Sequence, residues 1–248
     1  MIHPLKHQGH IPCLLVSLES LANGAGASKL QDMLSAKVQD FSLSTTCEYS
    51  LPVPFNDTKL HEFAVAICAS AIGEFATAAD IRISNQNELF SYSLFIPLFN
   101  GAASISLNAQ GVTIAFKQGR SKVHLNLMTE YTLKTIELVQ PPQTKRTTFS
   151  YAAHAVFDPP SGYAEYMRRF TDASLGITSG GVLWTAEIPE CRGELRYATE
   201  KSLTFANGIF LTASGSHTGI PSKELLEIVA KRVGTLAEHD GVCFSLDE

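Results

Sequence analysis

Four side chains near the start, His3, His7, His10 and Cys13, make the densest group of metal-ligating residues in the sequence. Imidazole nitrogen and thiolate sulfur together suit zinc or copper. Pro4, Gly9 and Pro12 interrupt the segment, so no stiff helix holds the imidazoles on one face. An unfolded site must also offset its own ordering entropy. A second candidate is Gly215-Ser216-His217-Thr218-Gly219, a glycine-flanked polar loop leading into a helix that begins near Pro221. Ser216, His217 and Thr218 would there offer backbone N–H groups at a helix N-terminus, where anions bind. The plainer reading is a strand-to-helix turn whose glycines supply backbone geometry. A third stretch, Glu187-Ile188-Pro189-Glu190-Cys191-Arg192, sets acids beside a thiol and reads as a loop whose charges meet water.

Signatures of catalysis do not emerge. Gly24-Ala25-Gly26 lacks the third glycine of a dinucleotide loop, and no GxxxxGK[ST] or GxSxG pattern occurs. His61-Glu62 opens like a metalloprotease helix, but Val65 stands where the second imidazole would lie one turn on. Five cysteines, eight histidines and many carboxylates give no nucleophile–base pair that stands out. No catalytic residue and no cofactor is therefore expected.

The 248 residues carry a net charge of −5, spread evenly: three cations and three anions over 1–40, six and eight over 41–140, ten and thirteen over 141–248. Nucleic-acid binding needs clustered cations, so a nucleic-acid partner is not expected. Short basic clusters at Lys117-Arg120-Lys122, Lys145-Arg146 and Arg168-Arg169 read as solvated surface. No apolar run approaches the ~18–20 residues of a membrane helix, so no membrane partner is expected. Cys13, Cys47, Cys68, Cys191 and Cys243 are sparse, odd in number and never in CxxC form, which favours reduced thiols and a cytoplasmic setting.

Hydrophobic periodicity supplies the elements that would position any site. Cys13–Leu18 reads as a buried strand, and Ser28 as the cap of a helix with Leu30, Met33, Leu34 and Val38 on one face. Phe41–Leu51 alternates as a strand. Leu60, Phe63, Ala64, Ile67, Cys68, Ala71, Ile72 and Phe75 make the clearest helical stripe, with Cys68 an inert thiol within it. Strands follow at Ile81–Ile83 and Phe90–Phe99, then a hairpin around Asn108-Ala109-Gln110-Gly111. From Val123 to Val139 both periods fit, and the reading leans to a helix by Thr129. Pro141–Arg146 reads as an exposed connection.

Beyond it the order recurs: a strand Phe149–Phe157, a helical face Tyr163, Tyr166, Met167 and Phe170, then strands around Val182/Trp184, Leu195/Tyr197 and Leu203/Phe205. Trp184 reads as core. Asn207-Gly208 reads as a hairpin turn, Pro221 as the first turn of a last helix, and Val242–Leu246 as a closing strand. The chain thus divides into a lead-in (1–40) and two α+β halves (41–140 and 141–248), which may be written as β-α-β(3-4)-α repeated. Helices covering one face of an antiparallel sheet in this order resemble the TATA-binding-protein-like and helix-grip architectures. No motif carries the resemblance further, so it implies a fold and no function. The functional expectation is a non-enzymatic binding or assembly protein that uses a sheet face or edge to hold a protein partner or a second copy of itself. The alternative is a small-molecule binder or enzyme with a cavity between helix and sheet.

Overall fold

The longest strand begins earlier than its hydrophobic pattern implies. In the computed structural model, which describes residues 33–54, 57–69, 81–85, 90–140 and 143–247, strand β1 runs Leu34–Tyr49. Its buried side chains are Ala36 and Val38, then Phe41, Leu43, Thr45, Cys47 and Tyr49. The alternation changes from even to odd positions across Gln39 and Asp40, where the pairing register also shifts, as a β-bulge requires. Leu34 and Val38 are four residues apart, a spacing that plain alternation shares with a helix, and the part of the expected helix over Leu34–Val38 is instead strand. It is held as strand because it lies between two others, β6 (Thr144–Phe157) and the short parallel β10 (Val242–Ser245). Ser28 and Leu30 of that expected helix, the strand Cys13–Leu18 and the second half of the long helical stripe lie outside the described residues.

The remaining elements follow in order: α1 (Asp57–Ala69), β2 (Arg82–Asn85), β3 (Tyr92–Leu98), β4 (Ala103–Asn108), β5 (Gly111–Gly119), α2 (Lys122–Val139), β6, α3 (Ser161–Arg168), β7 (Val182–Ile188), β8 (Gly193–Lys201), β9 (Gly208–His217), α4 (Lys223–His239) and β10. All ten strands form one sheet in the order β2-β3-β4-β5-β1-β6-β9-β8-β7, with β10 beside β1. Every pairing along that path is antiparallel. The fold is α+β. Thr144, Lys145 and Arg146, expected in an exposed connection, already belong to β6, where Thr144 and Arg146 pair with Tyr49 and Glu48 of β1, so the two longest strands lie side by side at the centre of the sheet.

Helix α2 starts earlier than its ambiguous periodicity suggests. Ser121 caps it by accepting from the His124 N–H, and the period-two reading of Val123–Leu133 gives way to a face of Leu125, Met128, Thr129, Thr132 and Ile136. The threonines spoil the apolar pattern in sequence but not in space: Thr129 and Thr132 donate to the carbonyls of Leu125 and Met128, one turn back. Helix α4 is capped in the same way by Ser222, so Pro221 lies just before the cap instead of in the first turn. Leu203 and Phe205, read as strand, lie in the six-residue link from β8 to β9. That link ends at Asn207, whose φ of 56° allows the chain to turn into Gly208.

Alternation along the strands separates two faces. The helix side carries the core: Phe41, Leu43, Ile105, Ile114, Tyr151, Phe157, Tyr197 and Leu211 are all buried there. The side chains of α1 that were expected inward, Leu60, Phe63, Ala64 and Ile67, are buried against that core. Gly119 shows how close the packing is, since a Cβ on it would lie 2.3 Å from Cζ of Phe41.

Candidate functional site

The opposite face of the sheet carries small and polar side chains. Ser42, Ser44 and Thr46 of β1 stand beside Thr148, Ser150 and Ala152 of β6, in register across the centre. Ser104 and Ser106 pair with Ala115 and Thr113 towards one edge, and Thr212 and Ser214 continue the surface towards the other. Thr46 and Thr113 hydroxyls meet at 2.9 Å, and Arg146 closes one end by donating to Glu48 at 2.8 Å. Charges gather beyond this floor on β8, where Glu194, Arg196 and Glu200 share the outward phase and Arg196 pairs with Glu194 at 3.0 Å.

A concavity lies at the β7–β9 end of this face. A cavity of about 560 Å³ is lined by Leu183, Glu200, Lys201, Leu203, Phe210 and Thr212. Leu203 is 98% exposed and Leu183 69%, so two large apolar side chains stand in water at its rim. Beside it, His154 packs its ring on Phe210 (centroids 4.8 Å apart) and Phe205 (5.6 Å). Ser202 Oγ accepts from the N–H groups of Thr204 and Phe205 at 3.1 and 3.0 Å. His154 Nδ1 lies 3.0 Å from the same Oγ, and the tautomer of the ring decides which of the two donates. Ser202 is buried and committed to the turn, which makes the pair a way of orienting the ring and a poor nucleophile–base couple.

Two further cavities lie on the helix side. One of about 20 Å³, beneath α2 and α4, is lined by Leu43, Thr45, Phe149 and Val229 and has room for about one water. One of about 110 Å³ lies between the start of α2 and the β4–β5 ends, lined by Phe99, Phe116, Leu127 and Met128 with Lys117 and His124 at its mouth. Both are small beside the ~300–1,000 Å³ typical of ligand pockets.

The helix side also buries a carboxylate. Asp240, at the end of α4, is 5% exposed. Its Oδ2 lies 2.8 Å from the Tyr166 hydroxyl and 3.2 Å from the Thr199 hydroxyl and accepts from Tyr197 at 3.4 Å; the Tyr166 and Thr199 hydroxyls also meet each other, so their two hydrogens are shared among three contacts. The Arg169 guanidinium donates to the Asp240 carbonyl at 2.6 Å instead of to the carboxylate, and lies over the Tyr166 ring. Burial pushes the Asp240 carboxyl above its ordinary range, against the pull of the hydroxyl donors and of Arg169. Burial likewise pushes both tyrosines up. No opening is described at this group, and it joins α3, β8 and α4 as a polar node of the core.

The residues singled out from sequence are distributed as follows. His3, His7, His10 and Cys13 lie outside the described residues. Ser216 and His217 belong to the end of β9, paired with Thr148 and Thr147, so strand replaces most of the expected loop. Alternation turns Ser216 to the open face and His217 inward, where the ring is 3% exposed and burial lowers its pKa. Thr218 meets the His217 ring through its carbonyl at 3.2 Å. Glu187 ends on β7 and Cys191 on a short turn, its thiol donating to the Ile188 carbonyl at 3.6 Å and pushed up in pKa by burial and by Glu190. Trp184 packs edge-on against His239 at 5.0 Å. Among the described residues no group of three or more His, Cys, Asp or Glu is placed to hold a metal ion, and no helix is long and apolar enough to cross a membrane.

Sequence reasoning missed His154 and Asp240. The first had a usable signal, because it shares the polar phase of β6 with Ser150 and Ala152. The second is a lone acid after a helix, and nothing in its neighbourhood announces three hydroxyl donors from distant segments. No protein-family model and no curated protein matches this sequence.

Proposed function

We propose that this chain is a non-enzymatic α+β binding protein that holds another protein on the open face of its sheet. The observation that carries the reading is the segregation of the faces: all of the large core side chains turn to the helices, and the other side is a wide floor of Ser, Thr and Ala. Small side chains let a partner's chain approach closely, and hydroxyls offer it hydrogen bonds at little desolvation cost. Sheets with one uncovered face either stay strongly polar or pair with something. The test is a photo-crosslinking residue at Ser44, compared with one at Lys231 on the outer side of α4. A discrete protein adduct from position 44 alone, lost when Ser214→Arg obstructs the floor, is expected; no adduct from position 44 would sink the reading.

The same element order in both halves supports an internal duplication of TATA-binding-protein-like form, with 41–140 and 141–248 as its halves. β1 and β6 are neighbours at the centre, β5 and β9 flank them, and serine caps α2 and α4 alike. Strand β2 has no counterpart in the second half. One observation favours a second reading. The 560 Å³ cavity at Leu183 and Phe210 has the volume of a small-molecule site, and the His154 ring packs on Phe210 of its lining. Native mass spectrometry of purified protein distinguishes the two: a retained small molecule, lost on Phe210→Ala, supports the second.

A further inference from the structure

Among the described residues, strand β7 is paired on one side only. It pairs with β8 through all seven residues Val182–Ile188 without a register shift, and it ends the strand order. Among the described residues, no loop or turn makes a backbone hydrogen bond to it. Natural proteins guard such edges with short strands, bulges, proline or lysine. The opposite edge, β2, has four residues and opens with Arg82. β7 has seven residues, no proline and no cation, and its one charge is Glu187.

We propose that β7 is a self-association edge, to which a second copy of this chain adds its own β7 antiparallel across a twofold axis through Thr185. The sequence of the strand argues for that occupant. In this register Thr185 faces itself, Trp184 faces Ala186, Leu183 faces Glu187 and Val182 faces Ile188. On the helix side a large ring meets a small methyl and two branched apolar chains meet each other, so the apolar strip beneath α4 runs on into the second copy. On the open side each carboxylate lies opposite a leucine, and the two Glu187 side chains stand about 13 Å apart along the strands. No like charges face each other, as an isologous pairing needs. The partner held on the open face is a separate matter, since joining edges leaves both floors uncovered.

Light scattering from micromolar to near-millimolar concentration is expected to reach twice the chain mass of 26.9 kDa. Leu183→Lys with Thr185→Lys, two exposed positions, is expected to return it to the single-chain mass with an unchanged melting curve. Thr185→Cys is expected to form a disulfide dimer on mild oxidation that the parent chain does not. Leu183→Cys and Glu187→Cys are each expected to stay single alone and to cross-link when mixed. A strictly monomeric parent chain overturns the proposal, as does a dimer that survives the lysine pair and gives no cross-link at position 185. If the lysine pair fails to fold, the cysteine pattern decides. Neither failure touches the open-face reading, which the adduct from position 44 tests by itself.

Discussion

The buried carboxylate of Asp240 permits a prediction whose sign changes with the partner removed. Tyr166→Phe deletes the phenol that donates to Oδ2 at 2.8 Å and leaves the ring, with its contacts to Phe157 and Phe170, in place. A hydrogen bond to a charged acceptor is worth about 1.5–3 kcal/mol, against about 0.5–1.5 for a neutral pair. Above the raised pKa, where Oδ2 is charged, the variant should therefore lose about 1.5–3 kcal/mol. For a chain of this size that corresponds to about 3–12 °C in Tm. Asp240→Asn acts in the other direction. Because burial holds the native pKa above the ordinary 3.8, the folded state binds a proton that the unfolded state has released. Stability then falls as pH rises through the window from 3.8 to the raised value, and ionisation of the group is a net liability above it. The amide removes that liability, so Asp240→Asn should match or exceed the parent there and lose the advantage below pH 3.8. In the Asn background Tyr166→Phe should cost only about 0.5–1.5 kcal/mol, giving a coupling of about 1–1.5 in a double-mutant cycle. Urea titrations followed by circular dichroism at pH 7 and pH 3.5 measure all four species. Equal costs of Tyr166→Phe in both backgrounds would refute the idea that the phenol solvates a charge.

Three further outcomes are expected. Gly119→Ala puts a Cβ 2.3 Å from Phe41 Cζ and should cost about 1–3 kcal/mol in urea titration, the range for overpacking a filled core. Ser121→Ala and Ser222→Ala each remove an equivalent N-cap and should each cost about 1 kcal/mol, additively, because each serine bonds only its own helix and the two share no partner. His217 has its pKa lowered by burial below the ordinary 6.5, so its contribution is complete above pH 6.5 and is lost as pH falls towards the folded value. His217→Gln should flatten the stability profile below pH 6.5, and an unchanged slope there would count against a buried neutral ring.

How much of this was legible depended on whether local pattern and tertiary demand agreed. The β4–β5 hairpin was readable because strict alternation and a two-residue Ala109-Gln110 link specify the same pairing, with Asn108 Oδ1 accepting from Gln110 and Gly111 to fix the turn. Leu60, Phe63 and Ile67 were readable for the helical equivalent of that reason. β1 was misread at its start because period two also places residues at i and i+4, as Leu34 and Val38 are, and the phase change across Gln39 and Asp40 hides that this run continues into the strand from Phe41. The start of α2 was misread because threonine at 129 and 132 looks like strand composition, whereas in place each hydroxyl is satisfied by its own helix. The links that failed were all tertiary. Nothing local distinguishes Leu203 in a link from Leu203 in a strand.

The candidate site was harder to read than the fold, and for a physical reason. Motif reading finds sites whose groups are close in sequence, as a phosphate loop or a zinc knuckle is. The groups that matter here come together only through the sheet: His154 meets Ser202 across 48 residues and Asp240 meets Tyr166 across 74. The open floor is still less visible, because a surface of Ser, Thr and Ala has no characteristic residue. Its signature is a phase relation, small residues on the outward beat of β1, β4, β5, β6 and β9 together, and that becomes a surface only when strand order makes those beats adjacent. Conversely, the order alone would be uninformative if the outward beats carried alternating Lys and Glu, as most solvated sheets do. Chain pattern and topology therefore each supply half of the argument for a holding surface, and β7 repeats the logic in one dimension. Its apolar alternation would be ordinary in a central strand, and its position would be harmless if it were short or charged. The combination is what leaves an edge suited to a second strand.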